Sequence, residues 1–245
     1  MRNKYQQMIK DFSSFGIELS DEQLLQFDKY YQLLIKWNEV MNLTAITEFD
    51  DVCKLHFVDS ISGCRYFDFS KPGLSLIDIG TGAGFPGIPL KIVFPKLHVT
   101  LLDSLNKRLN FLNEVIKELG LNEQGSIVTI HGRAEDYCLP KENSLRETFD
   151  IAVSRAVANM STLSEYCLPY VKVGGHFIAY KSEKASDELK SAKGAIHLLG
   201  GKLSSAEEFT LPETDISRTI CILQKSEPTS RKYPRKAGVP AKNPL

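Results

Sequence analysis

The residues whose types and spacing are best suited to binding a ligand lie in the stretch LIDIGTGAGFPGIPL, residues 76–90. Four glycines fall within eight positions of it. Glycine lets the backbone adopt a positive φ and approach a ligand without a Cβ in the way. A helix that begins after such a loop adds free N–H groups and partial positive charge, and Pro86 fits its first position because the missing N–H costs nothing there. Three glycines at alternate positions, Gly80, Gly82 and Gly84, are more than a tight turn needs, so the stretch predicts a ligand-binding loop.

Two overlapping patterns in this loop indicate two kinds of ligand. Residues 82–87 satisfy G-x-G-x-x-G, the pattern of dinucleotide binding. Residues 78–84 satisfy D-x-G-x-G-x-G, which is typical of the S-adenosyl-L-methionine (SAM) methyltransferase fold. We expect Asp78, at the end of an apolar run, to orient the loop and to face the ammonium of a methionine moiety. We expect Asp103, at the end of the next run, to accept hydrogen bonds from both hydroxyls of a ribose, a role that serves NAD equally well.

A third candidate segment, HGRAEDY at 131–137, follows the next apolar run. Ala134 and Glu135 lie in it where an adenine would rest against the backbone. Together with Ser104, which directly follows Asp103, they join the residues predicted to bind the cofactor.

These candidates require a sheet whose strands end at one edge. Short apolar runs predict strands at 74–79, 97–103, 125–132, 149–156, 174–181 and 218–224. Helical stretches are predicted between them at 87–94, 105–119, 158–170 and 183–199. Such alternation indicates a parallel α/β sheet covered on both faces, and ligands of these sheets bind outside the carboxyl ends of the strands.

The first 72 residues carry a helical pattern instead, and Pro72-Gly73 marks its end. Ser20 followed by Gln23 predicts a capping box at the start of one helix. A further helix is predicted over 48–62. The chain is therefore divided into a helical extension at 1–72, a core at 73–226 and a basic, proline-rich tail at 227–245.

Charge is unevenly distributed, although the chain is neutral overall. Residues 225–245 hold six Lys and Arg residues against one Glu. A basic, proline-rich segment suits a polyanion such as RNA and is not expected to form a helix. The expected phosphate contacts are Arg231, Lys232, Arg235 and Lys236. Deleting 231–245 is expected to weaken RNA binding, to flatten its salt dependence and to spare SAM affinity.

Composition excludes several classes of protein. Apolar residues make up 42% and charged residues 24%, ordinary values for a globular chain. No apolar run approaches ~18 residues, so the sequence predicts no membrane span, and the N-terminal residues lack the apolar region of a secretory signal. Five widely spaced cysteines without a C-x-x-C pair favour reduced thiols in a cytoplasmic protein. Neither they nor the scattered histidines form a metal-binding pattern.

Six segments spread over the chain carry a family resemblance. They are WNEVMNLTAIT (37–47), HFVDSI (56–61), IDIGTGAGFPGIPL (77–90), HGRAED (131–136), VSRAVA (153–158) and YPRKAGVPAKNPL (233–245). Together they resemble the bacterial small-subunit ribosomal RNA methyltransferase G family, also called glucose-inhibited division protein B. The resemblance implies a class I SAM-dependent methyltransferase fold, whose Rossmann-like sheet has seven strands with the last one antiparallel. It also implies methylation of guanine N7 in 16S ribosomal RNA, free or in the small-subunit particle. We expect the protein to be a monomer with no DNA or membrane partner.

The resemblance also implies roles for single residues. Gly80 and Phe85 would line the methionine end of the SAM site. Ala134 and Glu135 would contact adenosine. Arg155 would lie at the mouth of the site.

Guanine N7 carries a lone pair and no proton at neutral pH, so methyl transfer to it needs positioning and no general base. The VSRAV segment lacks the Asn/Asp-Pro-Pro-aromatic motif of amine methylases and the Pro-Cys of enzymes that methylate pyrimidine C5. We therefore expect Arg155, the residue predicted to be catalytic, to position RNA and cofactor through its guanidinium. An ion pair with a nearby carboxylate is the alternative for it.

Two further cations, Lys181 and Arg218, are candidate phosphate contacts, with a solvated surface charge as the alternative. Four polar residues of the extension are left open between a structural and a substrate-facing role. They are Asn42, Thr44, His56 and Asp59.

Other functions stay possible at this point. One is a SAM enzyme that acts on a small molecule, and another is an NAD-dependent oxidoreductase that uses G-x-G-x-x-G. A third is an RNA-binding module without catalysis, although the intact Asp78, glycines and Asp103 argue against it.

Overall fold

The computed structural model describes residues 2–122, 126–142, 144–183 and 185–245. The described residues form a seven-stranded sheet of order β3-β2-β1-β4-β5-β7-β6, in which β7 is antiparallel to both of its neighbours and the other paired strands are parallel. The strands are β1 Ser75–Ile79, β2 His98–Asp103, β3 Ile127–His131, β4 Phe149–Arg155, β5 Val171–Lys181, β6 Gly201–Thr210 and β7 Ser217–Lys225. This topology confirms the predicted fold class.

Helices cover both faces of the sheet. They are α1 Gln6–Ser14, α2 Asp21–Met41, α3 Phe49–Val52, α4 Asp59–Ile61, α5 Gly87–Val93, α6 Asn106–Glu118, α7 Ala134–Tyr137, α8 Met160–Cys167, α9 Ala185–Leu198 and α10 Val239–Lys242. A π-helical turn at Cys53–Val58 joins α3 to α4, so the helix predicted over 48–62 is continuous but not regular. Within the described residues, none of these helices has the length and apolar character needed to cross a bilayer.

Most predicted elements are confirmed to within a few residues, with two corrections. Pro86 comes directly before α5 and does not occupy its first position, and the peptide bond between Phe85 and Pro86 is cis. The tail does contain one short helix, α10, because Pro240 lies in its first turn, where a proline is tolerated. Positions 125 and 184, which belong to a predicted strand and a predicted helix, lie outside the described residues.

The predicted capping box at the start of α2 is present. The Ser20 hydroxyl accepts a hydrogen bond from the Gln23 N–H at 3.1 Å, and the Gln23 carboxamide oxygen accepts one from the Ser20 N–H at 3.0 Å. The Gln23 amide nitrogen also donates to the Ile92 carbonyl at 2.9 Å. The cap therefore both begins α2 and ties it to α5, the helix that follows the glycine loop.

Strand β6 has no counterpart among the six strands predicted from apolar runs. It lies at the edge of the sheet, and most side chains of its sequence GKLSSAEEFT are exposed or half-buried. An edge strand of this kind needs no continuous apolar run, because only part of it is covered. A register irregularity between Leu203 and Ser205 also interrupts the alternation of its side chains.

The sheet is buried on both faces, as the apolar runs predict. Leu76 and its neighbours on one face share a hydrophobic cluster with the N-terminal helices, whereas Ile77 faces the cluster formed with α8 and α9. Consecutive strand residues point to opposite faces, so both kinds of position must be apolar. The N-terminal helices thus pack directly on the sheet beneath the site, and the boundary predicted at residue 72 separates segments of one packed cluster.

Candidate active site

The glycine loop leaves β1 at the carboxyl edge of the sheet, and its glycines have different neighbours. Gly82 has φ +61°, and a Cβ added there would meet nothing closer than a backbone oxygen at 4.0 Å. Gly84 has φ +96°, and a Cβ added there would lie 2.6 Å from the Tyr30 hydroxyl and 2.8 Å from a carbon of Ile88. The loop is therefore open for a ligand at Gly82, whereas Gly84 makes room for the protein itself. A direct cofactor contact of Gly84 remains a prediction.

Tyr30 connects the helical extension to this loop. Its side chain is fully buried and its hydroxyl donates a hydrogen bond to the Ala83 carbonyl. Burial, opposed by the charge of Arg155, raises the pKa of this phenol well above its ordinary value. The hydroxyl therefore stays protonated and holds the glycine loop through its hydrogen bond to Ala83.

Asp78 is fully buried at the end of β1. One carboxylate oxygen, Oδ2, accepts hydrogen bonds from the Thr81 hydroxyl at 2.7 Å and from the Gly87 N–H at 2.9 Å, so the carboxylate orients the loop as predicted. The other oxygen, Oδ1, is buried and finds no hydrogen-bond partner among the described residues. Burial raises the pKa of Asp78 to about 6, against the two hydrogen bonds, which lower it. A buried acceptor without a donor is costly, and a cationic ligand group would relieve that cost.

Asp103 joins the end of β2 to the same loop. Its Oδ2 accepts from the Gly82 N–H at 2.9 Å and from Arg108 at 3.3 Å, and its Oδ1 accepts from the Leu105 N–H at 2.9 Å. A carboxylate offers about four acceptor positions, so a ribose hydroxyl still has a place. The ribose contact remains a prediction.

A cavity of about 390 Å³ opens at this edge, a size that suits a small-molecule ligand. Its lining contains half of the residues that the sequence predicts for the cofactor, namely Gly80, Asp103, Ser104, Ala134 and Glu135. The other half lies outside the lining and comprises Asp78, Gly82, Gly84, Phe85 and Arg155. Three lining residues that sequence reasoning missed are Arg108, Val157 and Tyr166. Val157 belongs to the loop after β4, where Ala156 has φ +57°, a conformation that no residue type in VSRAV announces.

A second group of side chains surrounds Phe85, a residue of the same loop. The ring of Phe85 stacks on His56 with centroids 4.5 Å apart and planes at 16°. The guanidinium carbon of Arg155 lies 5.1 Å from the same ring. Phe85 thus contacts a flat imidazole and a cation, the arrangement of an aromatic ring with a cation–π partner.

Arg155 is held by the helical extension. It donates to the Asp59 carboxylate at 2.9 Å, to the Leu55 carbonyl at 3.1 Å and, at 3.4 Å, to Nδ1 of His56. Asp59 is 4% exposed, and its other oxygen accepts from Nε of Arg218 at 3.0 Å. The ion pair weighed as an alternative for Arg155 is therefore present. We call His56, Asp59, Phe85, Arg155 and Arg218 the arginine cluster.

The four polar residues whose roles the sequence left open each have a place in the structure. Thr44 and His56 share a hydrogen bond of 2.8 Å between the hydroxyl and Nε2. Burial and the nearby Arg155 guanidinium lower the pKa of His56 to about 4, so the imidazole is neutral at pH 7. Asp59 bridges the two arginines. Asn42 ends α2 in the left-handed conformation, φ +49°, which asparagine tolerates better than most residues.

The other predicted RNA contacts differ in how free their charges are. Lys181 pairs with Glu188 at 2.6 Å and donates to the Ala158 carbonyl. Arg235 is paired with the buried Glu165, so its guanidinium is already in use. Three tail cations, Arg231, Lys232 and Lys236, are exposed.

The order of the strands, the antiparallel β7 and the glycine loop between two acidic strand ends define the class I SAM-dependent methyltransferase fold. Solved structures with this fold include TrmN from Thermus thermophilus, with a TM-score of 0.51 at 19% identity over 69% of this chain and 48% of that one. Another is Pyrococcus horikoshii TYW2 in complex with MeSAdo, with a TM-score of 0.50 at 14% identity over 65% of this chain and 60% of that one.

Sequence comparison identifies the family within that class. The family model described as rRNA small subunit methyltransferase G matches residues 23–218. The chain is 52% identical over 237 residues to the Ribosomal RNA small subunit methyltransferase G of Lachnoclostridium phytofermentans, covering 97% of this chain and 96% of the relative. It is 50% identical over 239 residues to the protein of that name from Exiguobacterium sp., covering 98% of both. The chain belongs to the rRNA small subunit methyltransferase G family, which confirms the resemblance carried by its motifs.

Proposed function

We propose that the protein transfers the methyl group of SAM to N7 of a guanine in 16S ribosomal RNA. The observation that carries the proposal is that one glycine loop contributes both to the cavity and to the arginine cluster. Gly80 of this loop lines the cavity, while its Phe85 packs against His56 and Arg155. A donor bound in the cavity and a base held by the arginine cluster would then meet at the loop.

The residues at and beside the cavity suit SAM. Oδ1 of Asp78 is a buried acceptor without a donor among the described residues, and the ammonium of a methionine moiety would supply one. Asp103 has acceptor capacity for a ribose, and the open side of Gly82 lets a ligand approach the backbone. Ala134 and Glu135 would bound the adenine. When bound, SAM supplies an electrophilic methyl group on a sulfonium.

The arginine cluster suits a base that becomes cationic. Methylation at N7 leaves a positive charge on guanine, and an unpaired arginine beside it would oppose that charge. Asp59 offsets one of the two guanidinium charges, and His56 adds none because it is neutral. One net positive charge remains to hold a phosphate. Arg155 thus orients the RNA, and no residue has to remove a proton because N7 carries none.

The exposed tail cations would add attraction that does not depend on sequence. Arg231, Lys232 and Lys236 can each meet a phosphate, and Lys181 lies at the end of β5 on the same edge of the sheet as the cavity. Single-stranded loops of folded RNA are the usual targets of base-specific recognition. We expect the enzyme to act as a monomer in the cytoplasm, where ribosomal subunits are built.

The test is methyl transfer from tritiated SAM to 16S RNA, offered free and as the assembled small subunit. Both substrates are isolated from a strain that lacks the gene. Mass spectrometry of the nucleosides should find 7-methylguanosine as the only product. Transfer to another base position would overturn the N7 assignment. Transfer to a metabolite pool and not to RNA would favour the small-molecule enzyme, and calorimetric binding of NAD without SAM would favour the oxidoreductase.

A further inference from the structure

The tail is attached to the wall of the cavity. Ala134 and Glu135 of α7 and Tyr166 of α8 form part of the lining. Glu135 is 4% exposed, and its Oε1 accepts a hydrogen bond from the Gly238 N–H at 2.8 Å. Glu135 thus lines the cavity and is hydrogen-bonded to the tail.

The same stretch of tail binds α8. The Glu165 side chain is fully buried, and the Arg235 backbone N–H donates to its Oε1 at 2.7 Å while Nη2 of Arg235 donates to Oε2 at 2.6 Å. One turn earlier, the Thr162 hydroxyl donates to the Pro240 carbonyl at 3.1 Å. Because Glu165 directly precedes Tyr166, these bonds fix the part of α8 that faces the cavity.

A third side chain holds the start of the tail against the core. Arg146 donates to the carbonyls of Tyr233 at 2.7 Å and of Ser230 at 3.1 Å, and also to that of Thr229. Charge-assisted hydrogen bonds of this kind are the strong ones, and a buried carboxylate that loses its partner is costly. The tail is therefore packed structure, with only some of its cations free.

We infer that residues 235–240 act as a strap that holds α7 and α8 in the positions needed for cofactor binding, with Arg235 as its positioning residue. The inference rests on the proposed function, because it takes SAM as the ligand of the cavity. Gly238 and Pro240 hold one helix each through backbone groups, and Arg235 secures the segment between the core and these contacts. Deletion of 231–245 therefore lowers SAM affinity, contrary to the expectation from sequence that it spares it.

The size of the effect follows from preorganisation. When the residues that line the cavity are correctly placed for only a fraction of the time, the apparent affinity for the ligand is multiplied by that fraction. If removal of the ion pair leaves the cavity competent about a tenth of the time, the dissociation constant rises about tenfold. The maximum rate at saturating SAM stays the same, because every molecule that has bound SAM is then competent.

The experiment compares two variants of the full chain that each remove one positive charge from the tail. Arg235→Gln removes the guanidinium that pairs with Glu165 and leaves the backbone N–H bond in place, whereas Arg231→Gln removes an exposed cation nearby. Calorimetry with S-adenosylhomocysteine should show a dissociation constant about tenfold higher for Arg235→Gln and unchanged for Arg231→Gln. In the transfer assay, Arg235→Gln should raise KM for SAM by the same factor with kcat retained.

A second variant covers the case in which Arg235→Gln folds poorly. Thr162→Val removes the hydroxyl that bonds the Pro240 carbonyl and leaves every charge in place, so KM for SAM should rise about threefold. If both variants lower kcat in proportion to their folded fraction and leave KM for SAM unchanged, the strap is only structural and the inference is overturned. If the unaltered chain fails to bind S-adenosylhomocysteine, the proposed function fails first; if it binds and Arg235→Gln binds equally well, only the inference fails.

Discussion

The cofactor half of the proposed site, which comprises the cavity and Asp78, differs in charge from the arginine cluster, its proposed RNA half. The cofactor half carries three carboxylates, Asp78, Asp103 and Glu135, against the two guanidiniums of Arg108 and Arg133, so one negative charge is in excess. The arginine cluster carries two guanidiniums against one carboxylate. Each half is therefore complementary to one of the proposed substrates, a cationic methyl donor and an anionic RNA. The predictions that follow test this division.

The largest effect is expected from Arg155→Gln, which removes one guanidinium and leaves the buried Asp59 with only Arg218. We expect kcat/KM for RNA to fall by about 100-fold or more, because the variant lacks the guanidinium charge proposed to hold a phosphate and so to orient the RNA. SAM affinity should change less than about twofold. Lys172→Gln, at the opposite edge of the sheet, is the matched control. An equal fall in SAM affinity would move Arg155 into the cofactor half.

Two of the loop glycines, Gly82 and Gly84, allow an effect on binding to be separated from an effect on folding. Gly82→Ala places a methyl group in open space at positive φ, so the free energy of unfolding should fall by about 1 kcal/mol. The dissociation constant for SAM should rise by about tenfold, because the methyl group occupies the side on which the ligand approaches.

Gly84→Ala is the counterpart, since its methyl group would overlap Tyr30 and Ile88. We expect the free energy of unfolding to fall by about 3 kcal/mol from strain and overpacking. Denaturant melts and calorimetry on both variants check the pair. Similar stabilities for the two would mean that the loop moves away from Tyr30.

SAM affinity should depend on pH through Asp78. Its pKa of about 6 in the folded chain lies above its ordinary value, so the carboxyl is ionised at pH 7 and mostly protonated at pH 5. Only the ionised form attracts an ammonium, and affinity should therefore fall about tenfold between pH 7 and pH 5. Titration calorimetry across this range measures the change. In Asp78→Asn the dependence should vanish, and a wild-type profile that is flat would separate Asp78 from the ligand.

The smallest effect is expected from the exposed cations. Replacing Arg231 and Lys232 together by Gln should weaken RNA binding only a few-fold at low salt. The log–log slope of affinity against salt should shrink by about 0.7–0.9 for each phosphate that is no longer neutralised. Filter binding at several salt concentrations gives the slope, and calorimetry should show that SAM affinity is retained. An unchanged slope would exclude these two residues from the RNA surface.

Features of the site that depend on neighbouring residues were predictable from the sequence, whereas features that depend on residues far apart in the chain were not. The loop at 78–87 and the acid at Asp103 were predictable because glycine content, strand ends and spacing are local properties. The capping box at Ser20 was predictable for the same reason. Strand β6 was not, because an edge strand shows no continuous apolar run. The roles of His56 and Asp59 were not, because their partner Arg155 lies about a hundred residues further along the chain.

Arg235 is a second residue whose partner could not be predicted from the sequence. The segment around Arg235 is basic and rich in proline, which predicts a solvated RNA contact. Its neighbours Arg231 and Lys232 are indeed exposed. The structure pairs Arg235 with Glu165, which is buried in a helix seventy positions earlier. No spacing rule connects an arginine in an irregular segment with one glutamate among many.

The sequence by itself thus determined the class of fold, the glycine loop and the family, because backbone conformation, hydrogen-bonded caps and buried strands each depend on a few neighbouring residues. Only the tertiary structure decided which charges are free, which are paired and which glycine faces open space. Those properties depend on packing between distant segments, where burial makes a single partner worth far more than it is in water.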